Sequence, residues 1–434
     1  MLPLRCGAQN YDWGRDYASS EVARLSQANG NEVDEKKPYA ELWMGTHPNC
    51  PSTLQLNNLT LQSWIESHPN SLGAKVPLKF GAHLPYLLKI LSVKKALSIQ
   101  SHPDKQLAEQ LHKQHPKLYP DDNHKPEMAV ALSEFEALCG FCPHEQLKGA
   151  LKEVPELAEC VGDEAAEGIL GAQESSPKAL KAAFTALMTC DPGKVKDCIS
   201  RLISRIHSQH PELVGSTCTA TPGTLAAKLA LAVRLDTQYP GGDVGVLSAF
   251  FLNQMRLSPG EAIYLPANVP HAYLDGEIVE CMAASDNVIR AGLTPKFKDT
   301  EVLCASLIYQ QGLPRVLVGD VVDESGLRVY QPPFEEFEIQ TLKVEVGGSS
   351  QLPASQGPRL LLVQRGSGNA KTLSQPMCTP ELVNELSIHK GNVLFVPAGT
   401  PLSITCTAGS DTNDEVSLVI WAAAVNSKFF NQDN

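Results

Sequence analysis

The chain has 434 residues, which is enough for about two to four domains. Hydrophobic residues make up 43% of it and charged residues 19%, a balance typical of folded globular proteins and not of disordered ones. The 36 Lys and Arg residues are outnumbered by 48 Asp and Glu residues, which gives a formal net charge of −12. This balance argues against nucleic acid as a partner, because binding to phosphate backbones needs an excess of cations. It remains compatible with a small basic site for a phosphorylated metabolite.

The sequence also argues against export and membrane insertion. Residues 1–7 lack the long apolar core of a secretory signal, and the chain contains no run of about 18 apolar residues. The 12 cysteines are scattered, and the close pair Cys139 and Cys142 has no second pair to complete a zinc knuckle. We therefore expect a cytoplasmic protein with reduced thiols and no membrane partner.

Three kinds of pattern follow one another along the chain. In residues 1–143, the segments 84–93 and 96–100 are predicted to be strands, and 103–114 a short polar helix. Residues 144–239 show helical periodicity in three stretches, the first of which starts at Ser176 and Pro177. From residue 240 the pattern returns to strands and tight turns, apart from a predicted helix at 300–309 and a linker at 316–326.

One hairpin pattern occurs twice in the β-rich part. Gly260 opens a five-residue strand that Pro266 ends, and a short turn leads to His271 at the start of the return strand. Gly391 opens the second copy with the same spacing, but Leu402 stands where the first copy has its histidine. Only the first copy therefore carries a residue that could bind a metal. The alternative is two unrelated hairpins, since Gly and Pro bound many strands.

This hairpin resembles the second conserved motif of cupins, which are small jelly-roll barrels. Asn268 replaces the turn glycine of that motif and Asp275 its final asparagine, and both residue types suit turns. We expect Asp275 and Gly276 to form the next turn, before a strand at 278–282. The resemblance implies a mainly β fold of two cupin-type jelly-roll barrels, one able to bind a metal and one degenerate, with an α-helical insert.

The predicted fold divides the chain into three units. Residues 1–143 with 240–315 form a discontinuous, metal-binding catalytic cupin domain. Residues 144–239 form an α-helical domain, and residues 316–434 form the degenerate C-terminal cupin domain.

Candidate metal ligands lie on the strands that precede the first hairpin. Gln100 and His102 point the same way because side chains alternate along a strand. Glu127 opens a further strand, and together with His271 these residues make a set of nitrogen and oxygen donors without a thiolate. Such a set suits zinc in a site open to water, and iron or manganese would also fit. His124 is a rival ligand.

Several stretches resemble the type I mannose-6-phosphate isomerases, which are zinc-dependent aldose–ketose isomerases. They are LSIQSHPDK at 97–105, YPDDNHKPEM at 119–128, ANVPHAY at 267–273 and DNVIRAGLT at 286–294, with YDWG at 11–14 and AELWMGTHP at 40–48. The resemblance spans residues 7–310. It implies one zinc per chain on Gln100, His102, Glu127 and His271, Arg290 in the active site, and the helical insert of the eukaryotic form.

That family interconverts mannose 6-phosphate and fructose 6-phosphate, so a base must carry a proton between C2 and C1 through a cis-enediol. Glu280 is our first choice for this base, because its strand follows the hairpin of His271, and Lys125 is the second. The alternatives for Arg290 are binding the phosphate and stabilising the enediolate.

Four further residues are candidates for binding the substrate. Ser101 and Lys296 could bind the phosphate, although Lys296 could equally be a solvated turn residue. Tyr273 shares the face of His271 and is expected either to hold a sugar hydroxyl or to pack in the barrel. Asp286 is expected to orient Arg290 or Lys296.

The resemblance implies a small sugar phosphate as the partner and a role in supplying mannose 6-phosphate for GDP-mannose synthesis and glycosylation. We also expect a monomer. Two other functions compete with it. A metal-dependent cupin dioxygenase would use similar donors, although such enzymes usually carry more His and less Gln. A non-enzymatic sugar-binding cupin would tend to lose the ligands that this chain keeps.

Overall fold

The computed structural model describes residues 1–215, 220–322, 325–374, 377, 379–407 and 417–431. Residues 1–143 are mainly β. The strands are β1 (Leu2–Arg5), β2 (Ala8–Gln9), β3 (Arg15–Asp16), β4 (Pro38–Tyr39), β5 (Glu41–Met44), β6 (Thr53–Leu54), β7 (Tyr86–Val93), β8 (Ile99–Ser101), β9 (Glu127–Ala131) and β10 (Phe135–Phe141). The helices are α1 (Glu21–Ala28), α2 (Leu61–Ser67), α3 (Val76–Phe80) and α4 (Lys105–Gln114), with 3-10 helices at Tyr17–Ser19 and Pro69–Leu72.

The next part of the chain is helical. It contains α5 (His144–Glu153), α6 (Pro155–Val161), α7 (Asp163–Leu170), α8 (Pro177–Met188), α9 (Pro192–Gln209), α10 (Leu225–Gln238) and α11 (Gly245–Ser248), with 3-10 helices at Pro211–Leu213 and Ala249–Phe251. The three helices expected from periodicity are α8, α9 and α10. Ser176 caps α8 by accepting a hydrogen bond from the backbone N–H of Ala179, as the Ser-Pro start predicts.

Strands resume at Leu252 and continue almost to the end of the chain. They are β11 (Leu252–Leu257), β12 (Ala262–Leu265), β13 (His271–Ala283), β14 (Ile289–Gly292), β15 (Asp320–Val321), β16 (Arg328–Tyr330), β17 (Glu338–Val344), β18 (Ser349–Leu352), β19 (Arg359–Arg365), β20 (Ser367–Thr372), β21 (Glu385–His389), β22 (Val393–Val396), β23 (Leu402–Thr407) and β24 (Leu418–Ala424). Two helices, α12 (Thr300–Ser306) and α13 (Ser427–Phe430), interrupt this pattern. The fold is therefore mainly β with a helical insert, as the sequence predicts.

The strands form two large sheets that belong to the two ends of the chain. One sheet runs in the order β15-β16-β17-β24-β19-β22-β1-β6, and the other contains β11-β10-β13-β7-β5-β2 with β8, β9, β12 and β14 attached. A four-stranded sheet, β18-β23-β20-β21, packs on the first and shares an apolar core with it. The N-terminal strand β1 lies in the C-terminal sheet, beside β22. The first and last parts of the chain are thus joined by backbone hydrogen bonds, and the division into three units remains a prediction.

The two β-rich parts pack face to face through a large apolar cluster. Strand β7 contributes Leu88 and Ile90 to it, and β19 contributes Leu360 and Leu362. The opposite face of β19, carrying Leu361, packs into the separate core of the C-terminal part. These strands are buried on both faces, which explains why their sequences are almost continuously apolar.

Strand β13 is continuous where the sequence analysis expected a turn at Asp275 and Gly276, so that prediction is wrong. The strand pairs with β10 at His271 and, from Gly276 onward, with β7 and β9. Gly276 has a φ of +116°, and a Cβ added there would lie 2.6 Å from the carbonyl oxygen of Glu134. The glycine bends the strand from one neighbour to the next instead of ending it, as glycine often does in sheets.

The second copy of the pattern forms β22 and β23, which lie in different sheets of the C-terminal part. In the first copy, β12 pairs with β9 and β13 pairs with β10, β7, β8 and β9. Within the described residues the two strands of each copy are therefore not partners, and the prediction of a hairpin is wrong, although the order of strand, turn and strand is correct.

Leu402, in the second copy, is fully buried among the apolar side chains between the two sheets. The cavity beside Leu352 and Ile404 measures only about 10 Å³, close to the smallest volume that holds one water. Side chains therefore fill the interior around the position that corresponds to His271.

We predict that Gly276→Ala strongly destabilises the protein, because it combines an unfavourable φ with a clash against backbone. Gly347→Ala is the matched control, since Gly347 also has a positive φ, +75°, but has no atom within 4 Å of an added Cβ. The control should cost about 1 kcal/mol of unfolding free energy. Gly276→Ala should cost at least about 2 kcal/mol more, on the scale of overpacking. Equal losses in chemical denaturation would contradict the steric account.

Candidate metal centre and active-site cavity

An open cavity of about 860 Å³ lies on the inner side of the strands that carry the predicted ligands. Its walls come from the N-terminal loop 9–13, from β5, β7, β8, β9 and β13, and from residues of the segment 288–296. Tyr239, at the end of α10, also lines it, so the helical insert contributes to the cavity. The volume is within the usual range for small-molecule sites, about 300–1,000 Å³.

Three of the predicted ligands meet beside this cavity, and one of them, Glu127, lines it. Among the described residues, His102, Glu127 and His271 place potential ligand atoms within 4.8 Å of one another, and all three side chains are buried. His102 lies just after β8, whereas Glu127 and His271 open β9 and β13. The distance from Glu127 Oε1 to His102 Nε2 is 3.2 Å, and from Glu127 Oε2 to His271 Nε2 it is 3.4 Å.

The free atoms of this cluster fit a metal ion. His102 Nδ1 lies 2.7 Å from the carbonyl oxygen of Asn287, and His271 Nδ1 lies 2.9 Å from that of Val269. When these Nδ1–H groups donate to the carbonyls, each Nε2 is left as an acceptor. Both Nε2 atoms and Glu127 Oε2 are buried without a hydrogen-bond partner. Such atoms are costly unless something else satisfies them, and a cation would do so.

The protonation states also suit metal binding. Burial lowers the pKa of His102 to about 4, although the neighbouring Glu127 carboxylate opposes the shift. Burial alone would raise the pKa of Glu127, but the His102 and Lys125 side chains outweigh it and hold that pKa well below its usual range. A neutral imidazole and an ionised carboxylate are the forms that ligate metals.

The other two candidate ligands separate clearly. Gln100 lies directly opposite His271 in the β8–β13 ladder and lines the cavity, so its side chain is close to the cluster. His124 instead lies with its Nε2 2.5 Å from Glu336 Oε1. The structure therefore brings Gln100 to the cluster and leaves the rival ligand His124 outside it.

Both predicted cations of the segment 288–296 line the cavity. Arg290 lies opposite Gln100 in the β8–β14 ladder, and Lys296 is exposed near the mouth. Burial lowers the pKa of the Arg290 guanidinium, and the nearby Tyr119 partly opposes the shift. Among the described residues, neither cation forms an ion pair with a carboxylate. Both are thus available to an anionic ligand.

Glu280 and Lys125, the candidate bases, also line the cavity. Burial raises the pKa of Glu280, against the effect of the neighbouring Lys89. Lys125 Nζ lies 3.5 Å from Glu127 Oε1. Both side chains are largely buried, as is common for groups that transfer protons in active sites.

Sequence reasoning missed two charged residues beside Glu280. Lys89 Nζ lies 3.2 Å from Glu280 Oε2 and 3.1 Å from Glu41 Oε2, and it sits 4.8 Å from the centre of the Trp43 ring. Burial disfavours the ammonium, but Glu41, Glu280 and Glu127 more than offset it and raise the pKa of Lys89. A single lysine inside an otherwise apolar strand was the available signal.

The remaining candidates are placed differently. The Ser101 hydroxyl is buried without a hydrogen-bond partner and does not line the cavity, whereas Ser98 does. Tyr273 lines the cavity, and its hydroxyl is buried. Asp286 was expected to orient Arg290 or Lys296; the contacts found are with Asn49, which donates to it at 3.0 Å, and with His47 Nε2 at 3.3 Å.

Comparisons with known proteins show the family to which the chain belongs. The profile of the phosphomannose isomerase type I catalytic domain matches residues 1–144, and that of its helical insertion domain matches residues 157–252. Mannose-6-phosphate isomerase 1 of Arabidopsis thaliana is 44% identical over 435 residues, covering 98% of this chain and 94% of the relative. The human mannose-6-phosphate isomerase is 41% identical over 426 residues, covering 95% and 96%.

Solved structures show the same fold. The apo form of mannose 6-phosphate isomerase from Salmonella typhimurium superposes with a TM-score of 0.77 at 25% identity, covering 98% of this chain and 99% of that chain. A mannose 6-phosphate isomerase bound with zinc and yttrium gives a TM-score of 0.78 at 25% identity, with the same coverage. The sequence and structural agreement extends over nearly the whole length, and the chain belongs to the type I mannose-6-phosphate isomerase family.

Proposed function

We propose that the chain interconverts D-mannose 6-phosphate and D-fructose 6-phosphate. The observation that carries this proposal is a cluster of three buried ligand atoms without hydrogen-bond partners, next to a cavity that Arg290 and Lys296 line. A metal site supplies a place for the reacting oxygens, and the unpaired cations supply places for the phosphate and for the charge that develops on the enediolate. The isomerase names of the relatives support the same reading.

We assign one zinc per chain to Gln100, His102, Glu127 and His271. The donor set of two imidazoles, one carboxylate and one amide oxygen suits zinc in a site that stays open to substrate. When bound, the metal would polarise the O1 and O2 oxygens of the sugar.

The phosphate is assigned to the cationic side of the cavity. Lys296 carries no carboxylate partner among the described residues, and Ser98 presents a hydroxyl on the same cavity wall as Gln100. Lys95 also lines the cavity, where its Nζ sits 4.2 Å from the centre of the Tyr239 ring. These groups, in place of Ser101, can meet a dianion with charge-assisted hydrogen bonds.

Proton transfer is assigned to Glu280, with Lys125 as the second candidate. The raised pKa of Glu280 brings this carboxyl towards neutral pH, where a general base works best. Lys89, at 3.2 Å, keeps an ammonium beside it and favours the ionised form that accepts the proton. Arg290 lies next to the metal ligand Gln100 in the sheet and is assigned to the charge that develops on the enediolate.

The remaining assignments concern binding of the sugar and the location of the enzyme. Tyr273 is assigned to a sugar hydroxyl, and Asp286 contributes to the wall through its contacts with His47 and Asn49. No helix within the described residues is long and apolar enough to cross a membrane. We expect a monomeric cytoplasmic enzyme that supplies mannose 6-phosphate for GDP-mannose synthesis and glycosylation.

A coupled assay tests the function directly. Purified protein is given mannose 6-phosphate, and the fructose 6-phosphate formed is converted by an auxiliary isomerase and followed with a dehydrogenase. Zinc-loaded protein should turn over and should lose activity with a chelator. Oxygen uptake without isomerisation would favour the cupin dioxygenase, and binding of the sugar without either reaction would favour the non-enzymatic cupin.

We predict that His271→Ala loses zinc and activity while the chain stays folded, since the other β-part and the helices do not depend on the site. His124→Ala is the matched control, because His124 lies outside the cluster. It should keep one equivalent of zinc per chain by elemental analysis. A full equivalent of tightly bound zinc in His271→Ala, or two chelator-sensitive equivalents in the unaltered protein, would overturn the assignment.

We predict that Arg290→Ala lowers kcat by about a hundredfold or more, on the scale of losing one preorganised charge donor. Zinc content should not change, because Arg290 is not a ligand. Arg290→Lys should recover little, since a point charge cannot replace the planar fork. A rise in KM with kcat unchanged would instead make Arg290 a ground-state phosphate anchor.

A further inference from the structure

A carboxylate from the helical insertion binds the backbone that follows β14, between Arg290 on that strand and Lys296. Asp243 lies between α10 and α11, inside the region that matches the helical insertion domain. Its Oδ1 accepts a hydrogen bond from the backbone N–H of Leu293 at 2.7 Å, and its Oδ2 accepts one from that of Thr294 at 3.1 Å. Oδ1 also accepts from the N–H of Gly245 at 2.7 Å.

The segment bound by Asp243 has an unfavourable backbone conformation at Leu293. Leu293 has a φ of +55°, which residues with a β-carbon rarely adopt. At this kink two successive N–H groups, of Leu293 and Thr294, point towards one place, and such a backbone nest binds an anion. The side chain of Asp243 is that anion.

Two glycines bring the loop and the insertion into direct backbone contact. A Cβ at Gly292 would lie 2.5 Å from the Cα of Gly245, and a Cβ at Gly245 would lie 2.6 Å from the nitrogen of Leu293. No larger residue fits at either position without moving the loop. Both segments therefore need glycine at this contact, and the Asp243 carboxylate adds hydrogen bonds across it.

The kink lies midway between the two cations, three residues after Arg290 and three before Lys296. Leu293, Thr294 and Lys296 line the cavity together with Arg290. Arg290 is held by its pairing with Gln100 in the β8–β14 ladder. The backbone at the kink therefore decides where the Lys296 side chain starts relative to it. A loop that relaxed to a negative φ at Leu293 would move the two cations relative to each other.

We propose that Asp243 is a positioning residue, through which the helical insertion holds Arg290 and Lys296 in register for the phosphorylated substrate. This inference rests on the proposed isomerase function. It gives the insertion a specific task at the active site, beyond contributing Tyr239 to the wall.

Asp243→Asn tests the proposal, because the amide keeps the size of the side chain but replaces one acceptor with a donor that faces an N–H. We expect kcat/KM for mannose 6-phosphate to fall at least about tenfold, on the scale of a small misplacement of binding groups. The inhibition constant of inorganic phosphate should rise about tenfold, and zinc content should stay at that of the unaltered enzyme.

Asp191→Asn is the matched control. Asp191 also accepts a backbone hydrogen bond, from Lys194 at 2.9 Å, and caps α9 away from the cavity. Both variants should lose some thermal stability, but only Asp243→Asn should change the phosphate inhibition constant. If Asp243→Asn yields no soluble enzyme, Asp243→Glu, which keeps the charge and shifts the acceptors by one methylene, should show the same increase.

The outcomes separate this inference from the function on which it rests. An unaltered enzyme that forms no fructose 6-phosphate overturns both. An active unaltered enzyme, together with an Asp243 variant whose kcat/KM and phosphate inhibition constant match those of Asp191→Asn, overturns the positioning role alone.

Discussion

The sheet that contains β7, β9 and β13 is buried on both faces, and the active site depends on this constraint. The outer face must pack against the C-terminal sheet, so alternate positions such as Leu88 and Val279 are apolar and buried. The intervening positions face the cavity, and among them are Lys89, Glu127 and Glu280. The same alternation that supplies the interface therefore aims the charged groups inward. Each fully buried large aliphatic side chain contributes about 1.5–3 kcal/mol, which helps to offset the cost of the buried charges.

The local part of this arrangement could be predicted from the sequence. The spacing of Gly and Pro residues predicts the strand and the turn that lead to His271, because few residue types suit such a turn. It does not predict the pairing, since β12 lies beside β9 and not beside β13. Alternation along β8 places Gln100 and His102 on one face, and the same parity places Ser98 with them and turns Ser101 away. The prediction that Ser101 binds the phosphate is at odds with this alternation, since its hydroxyl is buried away from the cavity. The alternation favours Ser98, which lines the cavity.

The parts that escaped prediction depend on contacts distant in sequence. Nothing local indicates that β1 joins the C-terminal sheet beside β22, since a short apolar strand fits many partners. A Gly after an Asp is typical of a turn, yet Gly276 bends a continuous strand, because β10 and β7 both pair with β13. Asp286 stands near Arg290 in sequence, but the contacts found for its carboxylate are with His47 and Asn49. Lys89 can be buried because it pairs with Glu41 and Glu280, which lie on neighbouring strands.

The second copy of the strand–turn–strand pattern, which carries no metal ligand at position 402, shows how such an interior is filled by apolar side chains alone. Leu402 packs among apolar neighbours in an interior whose cavity would barely hold one water. A histidine at this position would bury an imidazole among apolar side chains, at the cost of an unsatisfied polar group. The filled interior instead supports strands such as β19, whose Leu361 faces inward and whose Leu360 and Leu362 cover the back of the catalytic sheet. The degenerate copy thus supplies an apolar surface, and packing against it helps to offset the cost of the charged groups buried in the metal-binding copy.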